Sequence, residues 1–188
     1  MPRYAAIDIG SNSTRLAVAE VEPGRGVRTL ASDREVTRLG TSVFSQGLVS
    51  RDAMDHLCRV LQRFRGTVAQ HHATGIRAVA TSAVRDARNQ DEFLRRATDA
   101  AGVPVEIISG IEEARLIHAG LQSVWPHPDQ RLLIIDIGGG SAEAIVSESG
   151  RVTAAFSRPL GAVRLKELFL QADPPEAEDL DRLGGYID

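Results

Sequence analysis

The order of apolar and polar positions divides the chain into short, readable segments. An apolar run from Tyr4 to Ile7 predicts a strand over residues 4–8, and residues 14–22 read as a second, with Leu16 and Val18 on one face. Residues 27–38 make a third strand, joined to the second by a turn at Pro23-Gly24-Arg25-Gly26. Residues 38–47 are expected to be loop. Ser50 then caps a helix over 51–70, with Met54, Leu57, Val60, Leu61, Phe64 and Val68 along one side. A strand over 76–81, a helix over 89–101 stopped by Gly102, a strand over 105–108 and a helix ending near Val124 follow. Trp125-Pro126-His127-Pro128 is the clearest linker, because two prolines block helix continuation. Strands then restart over 131–136, 143–147 and 151–157, before a helix over 160–170. Asp173-Pro174-Pro175-Glu176 is expected to open the last helix with an acidic N-cap and an early proline.

One stretch occurs twice. Ile7-Asp8-Ile9-Gly10-Ser11-Asn12-Ser13 returns as Ile135-Asp136-Ile137-Gly138-Gly139-Gly140-Ser141, each between two apolar segments. This is strand–turn–strand with a loop of small residues, whose backbone can approach an anion closely. The Asp ending each first strand is placed to point at whatever the loop holds. Two facing copies would clasp a polyanion, with two carboxylates available for a divalent cation. Neither copy has the G-x-G-x-x-G of a dinucleotide fingerprint, and the only lysine, Lys166, is far from both loops, which excludes a P-loop. Paired loops of this kind resemble those of the actin-like ATPase folds, which include sugar kinases. Two ordinary hairpins in one sheet protein are the plain alternative.

Bulk composition narrows the class without choosing a function. The 188 residues are 43% hydrophobic and 25% charged with a net charge of −3, an ordinary globular balance without the basic footprint of a nucleic-acid binder. No apolar run approaches membrane-span length, and no signal-peptide layout opens the chain. The single Cys58 allows no internal disulfide and suits a reducing cytoplasm. Arginine supplies all the basic residues but Lys166, which a codon bias explains more simply than phosphate binding does.

Five motifs in fixed order carry a resemblance over essentially the whole chain. They are the two loops (Ala6 to Ser13; Ile135 to Glu143), Ala80-Thr81-Ser82-Ala83-Val84-Arg85-Asp86-Ala87, Ile108-Ser109-Gly110-Ile111-Glu112-Glu113-Ala114-Arg115, and Pro159-Leu160-Gly161-Ala162-Val163-Arg164-Leu165. With these the chain resembles the exopolyphosphatase / guanosine pentaphosphate phosphohydrolase family. The resemblance implies an α/β protein of actin-like ATPase (ribonuclease H-like) fold, with one complete domain over 1–125 and the incomplete start of a second over 126–188. It implies a Mg²⁺-dependent phosphohydrolase that releases the terminal phosphate of polyphosphate or guanosine pentaphosphate. By the same resemblance Glu113 is the general base and Glu143 a second catalytic or metal-positioning acid, with Asp136 and Asp8 associated with the cation. Gly10, Ser11, Asn12, Ser13, Gly138, Gly139, Gly140, Ser141 and Arg85 are the expected phosphate contacts. Ala142 departs from the pattern, standing where the family usually has Thr.

Other readings of the same residues stay open. Glu112 and Glu113 read equally as a first-turn pair favoured by the helix dipole, and Arg85 as a surface partner of Asp86. His118 carries no assigned role. An actin-like ATP-dependent kinase would need an adenosine pocket beyond the residues in hand. A non-catalytic sensor of polyphosphate or of a nucleotide alarmone is the third class, although carboxylates beside a polyanion give a pure binder no advantage. The expected setting is cytoplasmic, with no nucleic acid or membrane partner, and the resemblance leaves room for a homodimer of the full-length protein.

Overall fold

Strict alternation in the first hairpin decides which side of the first sheet becomes the core. Ala5, Ile7 and Ile9 on β1 (Arg3–Ile9) and Thr14, Leu16 and Val18 on β2 (Thr14–Glu22) all turn inward and are buried. The computed structural model describes residues 1–22, 26–127, 129–170 and 172–188, so the first three residues of the expected turn over 23–26 and Pro128 of the expected linker lie outside it. β3 (Gly26–Glu35) completes an antiparallel meander, and β4 (Gly75–Ala80) and β5 (Val105–Ile107) add in parallel on the far side of β1. The order is β3-β2-β1-β4-β5.

Helices cover the buried face. α2 (Arg51–Gln70) is capped by Ser50, whose Oγ accepts from Ala53 N at 3.3 Å, and it buries the six apolar residues of its expected stripe. They pack with Phe93 and Ala97 of α4 (Gln90–Ala101) and with the inner face of the sheet. α3 (Ser82–Asp86) follows β4 directly, and Cys58 packs half-buried with its thiol pushed up by burial.

Two boundaries differ from expectation for tertiary reasons. Residues 39–46 form α1 (Leu39–Gln46) instead of loop. Thr41, Ser42 and Ser45 are weak helix formers and no side chain caps the start. What fixes it is the first loop: Arg38 N donates to the Asn12 carbonyl at 2.9 Å and Gly40 N to the Ser11 carbonyl at 2.7 Å. Arg38 is left-handed at φ 50°, so β3 ends at Glu35, short of 38. At the other end α7 (Ala177–Ile187) starts after the prolines, with Glu176 at the cap position and no side-chain cap bond. Asp173 is therefore not the N-cap.

α5 (Gly110–Val124) leads to a second antiparallel sheet of β6 (Arg131–Ile137), β7 (Ala142–Glu148) and β8 (Arg151–Arg158), followed by α6 (Ala162–Phe169). α5 lies against β7 and β8, where buried His118 Nε2 meets Ser147 Oγ at 2.8 Å. The sheet's other face is bare: Leu133, Ile135 and Ile137 of the edge strand β6 are each more than 60% exposed. The duplication reaches past the loops, because Leu39-Gly40 opens α1 as Leu160-Gly161 opens α6, and these two helices pack on each other. Among the described residues no helix is long and apolar enough to cross a membrane.

Candidate active site

Each loop is a four-residue link closed in the same way. Gly10 N donates to the Ser13 carbonyl at 3.1 Å, and Gly138 N to the Ser141 carbonyl at 3.0 Å. The strands then pair Ile9 with Thr14 and Ile137 with Ala142, so each Asp sits one residue back on the first strand. The loops touch one another. A Cβ on Gly139 would come within 3.2 Å of Asn12, and one on Gly140 within 2.4 Å of Ser11 Oγ. At Gly140 only glycine fits without a shift of its neighbours.

A cavity of about 350 Å³ opens between them. It is lined by Asp8, Asp136 and Glu113 together with Gly10, Ser11, Asn12, Ser13, Gly138, Gly139, Gly140 and Ser141. Ten of the expected site positions thus converge with the expected base, from elements far apart in sequence. Ser109 Oγ accepts from Glu112 N at 3.1 Å and starts α5, which delivers Glu113 on its first turn. Glu112 instead meets Arg77 at 3.5 Å.

The remaining two stand behind the cavity wall. Arg85 Nη1 donates to the Ile108 carbonyl at 2.6 Å and to Glu113 Oε2 at 3.3 Å, so it grips the acid rather than lining the cavity. Asp86, its sequence neighbour, pairs elsewhere, with Arg164. Glu143 is 1% exposed and accepts from Ser157 Oγ at 2.7 Å. Gly110 makes room for that contact, since a Cβ there would lie 2.3 Å from Ser157 Oγ. Ala142 alternates with Glu143 along β7 and so faces the opposite side of the strand, away from the carboxylates.

Two carboxyls in the cavity are held up. Glu113 is pushed from 4.5 to about 7, by burial first and by the charge of Glu143 second, against the pull of Arg85. Asp8 is raised by the protein around it, with Arg15 opposing and Asp136 adding. Asp8 and Asp136 are equivalent strand ends close enough to feel each other's charge, a pair suited to Mg²⁺, which takes one or two carboxylates and completes its shell with phosphate and water. Glu143, expected beside them, is bonded to Ser157; among the described residues no group of three or more His, Cys, Asp or Glu is arranged to hold a metal ion.

Several functional positions escape sequence reading. Arg15 and Arg34 line the cavity from β2 and β3, as do Thr81 and Ser82 at the start of α3. Arg164 of α6 donates to the Gly140 carbonyl at 2.7 Å and to Ser82 Oγ at 3.0 Å, and stacks 4.1 Å from the Phe44 ring. It ties the second loop to α1 and α3. Its motif was the available signal, but strand register alone reveals the first two.

Comparison with known proteins places the chain in a family. Residues 6–188 match the Ppx/GppA phosphatase family. An exopolyphosphatase-like protein of solved structure is 35% identical with a TM-score of 0.93, covering 100% of this chain and 59% of its own. An exopolyphosphatase from Cytophaga hutchinsonii is 31% identical (TM-score 0.90; 99% and 59% covered). The Aquifex aeolicus member of the Ppx/GppA family is 32% identical (TM-score 0.78; 96% and 58% covered). The chain therefore spans about three fifths of the length of these relatives. The fold they share is the actin-like ATPase (ribonuclease H-like) fold, with its repeated sheet and loop. On these likenesses the chain belongs to the Ppx/GppA phosphatase family.

Proposed function

We propose that the full-length protein is a Mg²⁺-dependent phosphohydrolase that removes the terminal phosphate of inorganic polyphosphate, of guanosine pentaphosphate, or of both. The observation that carries this reading is Glu113, a carboxyl raised to about 7 on the wall of a cavity made by two small-residue loops. A base poised near neutral pH accepts a proton from water while half-ionised, which suits general-base catalysis. Phosphoryl transfer asks little else of a protein than positioning and charge neutralisation.

In this reading the loops cradle the terminal phosphates, and their packed glycines hold the two halves of the cradle at one separation. Glu113 takes a proton from a water as its oxygen bonds to the terminal phosphorus. The bond from that phosphorus to the bridging oxygen breaks, and the electron pair leaves with the shortened chain. Arg85 holds the Glu113 carboxylate in place, and Ser157 holds Glu143, whose charge keeps Glu113 basic. Asp8 and Asp136 would hold Mg²⁺, which supplies charge neutralisation to the phosphates. Side-by-side measurement of orthophosphate release from polyphosphate, guanosine pentaphosphate and ATP tests the reading. Release from neither of the first two by the full-length protein with Mg²⁺ would refute it.

A further inference from the structure

We infer that Arg164 is a positioning residue for phosphate binding, whose guanidinium holds the peptide between Gly140 and Ser141 so that its N–H serves the anion cradle. The inference rests on the phosphohydrolase reading of the same cavity and adds to it a residue that does not itself line the cavity.

A planar trans peptide points its N–H away from its C=O. In the second loop the three glycine carbonyls are all taken up by the start of α6. Ala162 N donates to the Gly138 carbonyl and Arg164 N to the Gly139 carbonyl, both at 3.0 Å, and Arg164 Nε donates to the Gly140 carbonyl at 2.7 Å. The N–H groups of Gly139, Gly140 and Ser141 are therefore turned the other way. None of them donates to a protein acceptor among the described residues, and all three residues line the cavity. Successive N–H groups turned one way make an anion-binding concavity.

The two loops secure equivalent carbonyls by different means. In the first, Gly40 N holds the Ser11 carbonyl and Arg38 N holds the Asn12 carbonyl, at 2.7 and 2.9 Å. Both donors are backbone groups. In the second, Arg164 N takes the place of Gly40 N, but a side chain, Arg164 Nε, takes the place of Arg38 N. The peptide it holds follows a glycine, whose backbone is free to rotate once that hold is lost. Arg164 is itself braced from the other half of the chain. Nη2 donates to Ser82 Oγ at 3.0 Å and pairs with Asp86, both on α3, and the guanidinium lies 4.1 Å from the Phe44 ring of α1. Its side chain is 12% exposed, so it acts as a packed fork joining Gly140 to α3 and not as a loose surface cation.

The test is calorimetric titration of the full-length protein with tripolyphosphate and Mg²⁺, in a Glu113→Gln background that removes turnover. Arg164→Met keeps a stem over Phe44 but loses the fork. It should bind about tenfold more weakly, the worth of one N–H bond to a charged phosphate. Two further variants separate orientation from charge. Arg164→Lys keeps the charge but cannot join Gly140 to α3, so its affinity should stay closer to that of Arg164→Met than to that of the parent. Asp86→Asn removes a negative charge near a polyanion, yet should weaken binding, because the brace on Arg164 is loosened. All titrations are run below the lowest melting temperature of the set, so loss of fold does not mimic weak binding. Unchanged affinity in Arg164→Met, full recovery in Arg164→Lys, or tighter binding in Asp86→Asn would overturn the assignment. Binding is read apart from turnover, so absence of phosphate release by the full-length protein bears on the phosphohydrolase reading alone.

Discussion

Arg85 reaches Glu113 at 3.3 Å, yet the Glu113 carboxyl is raised to about 7 and not lowered. A guanidinium at that distance ordinarily favours the charged acid. Here its pull is divided, because Nη1 also donates to the Ile108 carbonyl at 2.6 Å. Burial and the Glu143 charge outweigh what remains. A rise from 4.5 to about 7 corresponds to a difference of about 3 kcal/mol between the two protonation states.

That imbalance predicts how stability depends on pH. The folded state holds the Glu113 proton more tightly than the unfolded chain does. Its contribution is fully present below about pH 4.5 and is lost as pH rises through about 7. Gln at this position cannot ionise. Glu113→Gln should therefore be more stable than wild type at about pH 8, by roughly 1–3 kcal/mol, and should show no gain at about pH 4. Thermal melts at the two pH values decide it. A variant no more stable than wild type at the higher pH would mean that the buried charge is compensated.

Catalysis runs the other way. A general base works only when deprotonated, so kcat/KM for phosphate release should climb with pH through about 7 and then level. Glu113→Gln should lose turnover by roughly two to four orders of magnitude, with substrate binding kept or tightened. Glu112→Gln is the control, since Glu112 meets Arg77 and does not line the cavity. Turnover of the Glu113 variant within a few-fold of wild type would transfer the base role to Glu143.

The cradle could be read from the chain because its chemistry is written twice in consecutive residues, Gly10 to Ser13 and Gly138 to Ser141. Glu113 could be placed because its motif and helix start coincide. What depends on register could not be read. Arg15 and Arg34 lie 19 positions apart and become neighbours only when β2 pairs with β3. Alternation along β7 likewise turns Glu143 inward onto Ser157, behind Glu113, which a position at the end of a loop does not reveal. α1 was illegible for a related reason: its start is held by carbonyls of Ser11 and Asn12, so nothing local announces it.

Phosphate release should require Mg²⁺ and should stop in excess chelator. Asp8 and Asp136 supply two carboxylates to one cavity, and burial, with the Asp136 charge adding to it, raises Asp8, a cost that a bound cation would relieve. Asp136→Asn should abolish turnover or raise the Mg²⁺ concentration needed for half-maximal rate. A magnesium titration of both proteins measures this, and a wild type fully active in chelator would exclude it.

The second loop should be held in place sterically by α6 at Gly161. Its φ of −76° is open to any residue, so backbone conformation is not what requires glycine. Space is: a Cβ there would lie 2.3 Å from Gly140 N and 2.4 Å from the Gly139 carbonyl carbon. The second loop cannot retreat, because Gly140 already abuts Ser11 and Ser82. The helix must move instead, which pulls Ala162 N from the Gly138 carbonyl and Arg164 N from the Gly139 carbonyl, both bonds of 3.0 Å. Arg164 would leave Gly140, Ser82 and Phe44 with it. Overpacking of this kind costs about 1–3 kcal/mol, and Gly161→Ala should lower the melting temperature accordingly while reducing phosphate release. Gly120→Ala is the matched control. It sits inside α5 with nothing within 4 Å of a new Cβ, so alanine there should be neutral or stabilising by up to about 1 kcal/mol. If the two variants melted together, α6 could shift away from the second loop at little cost, and the fixed cradle would have to be given up.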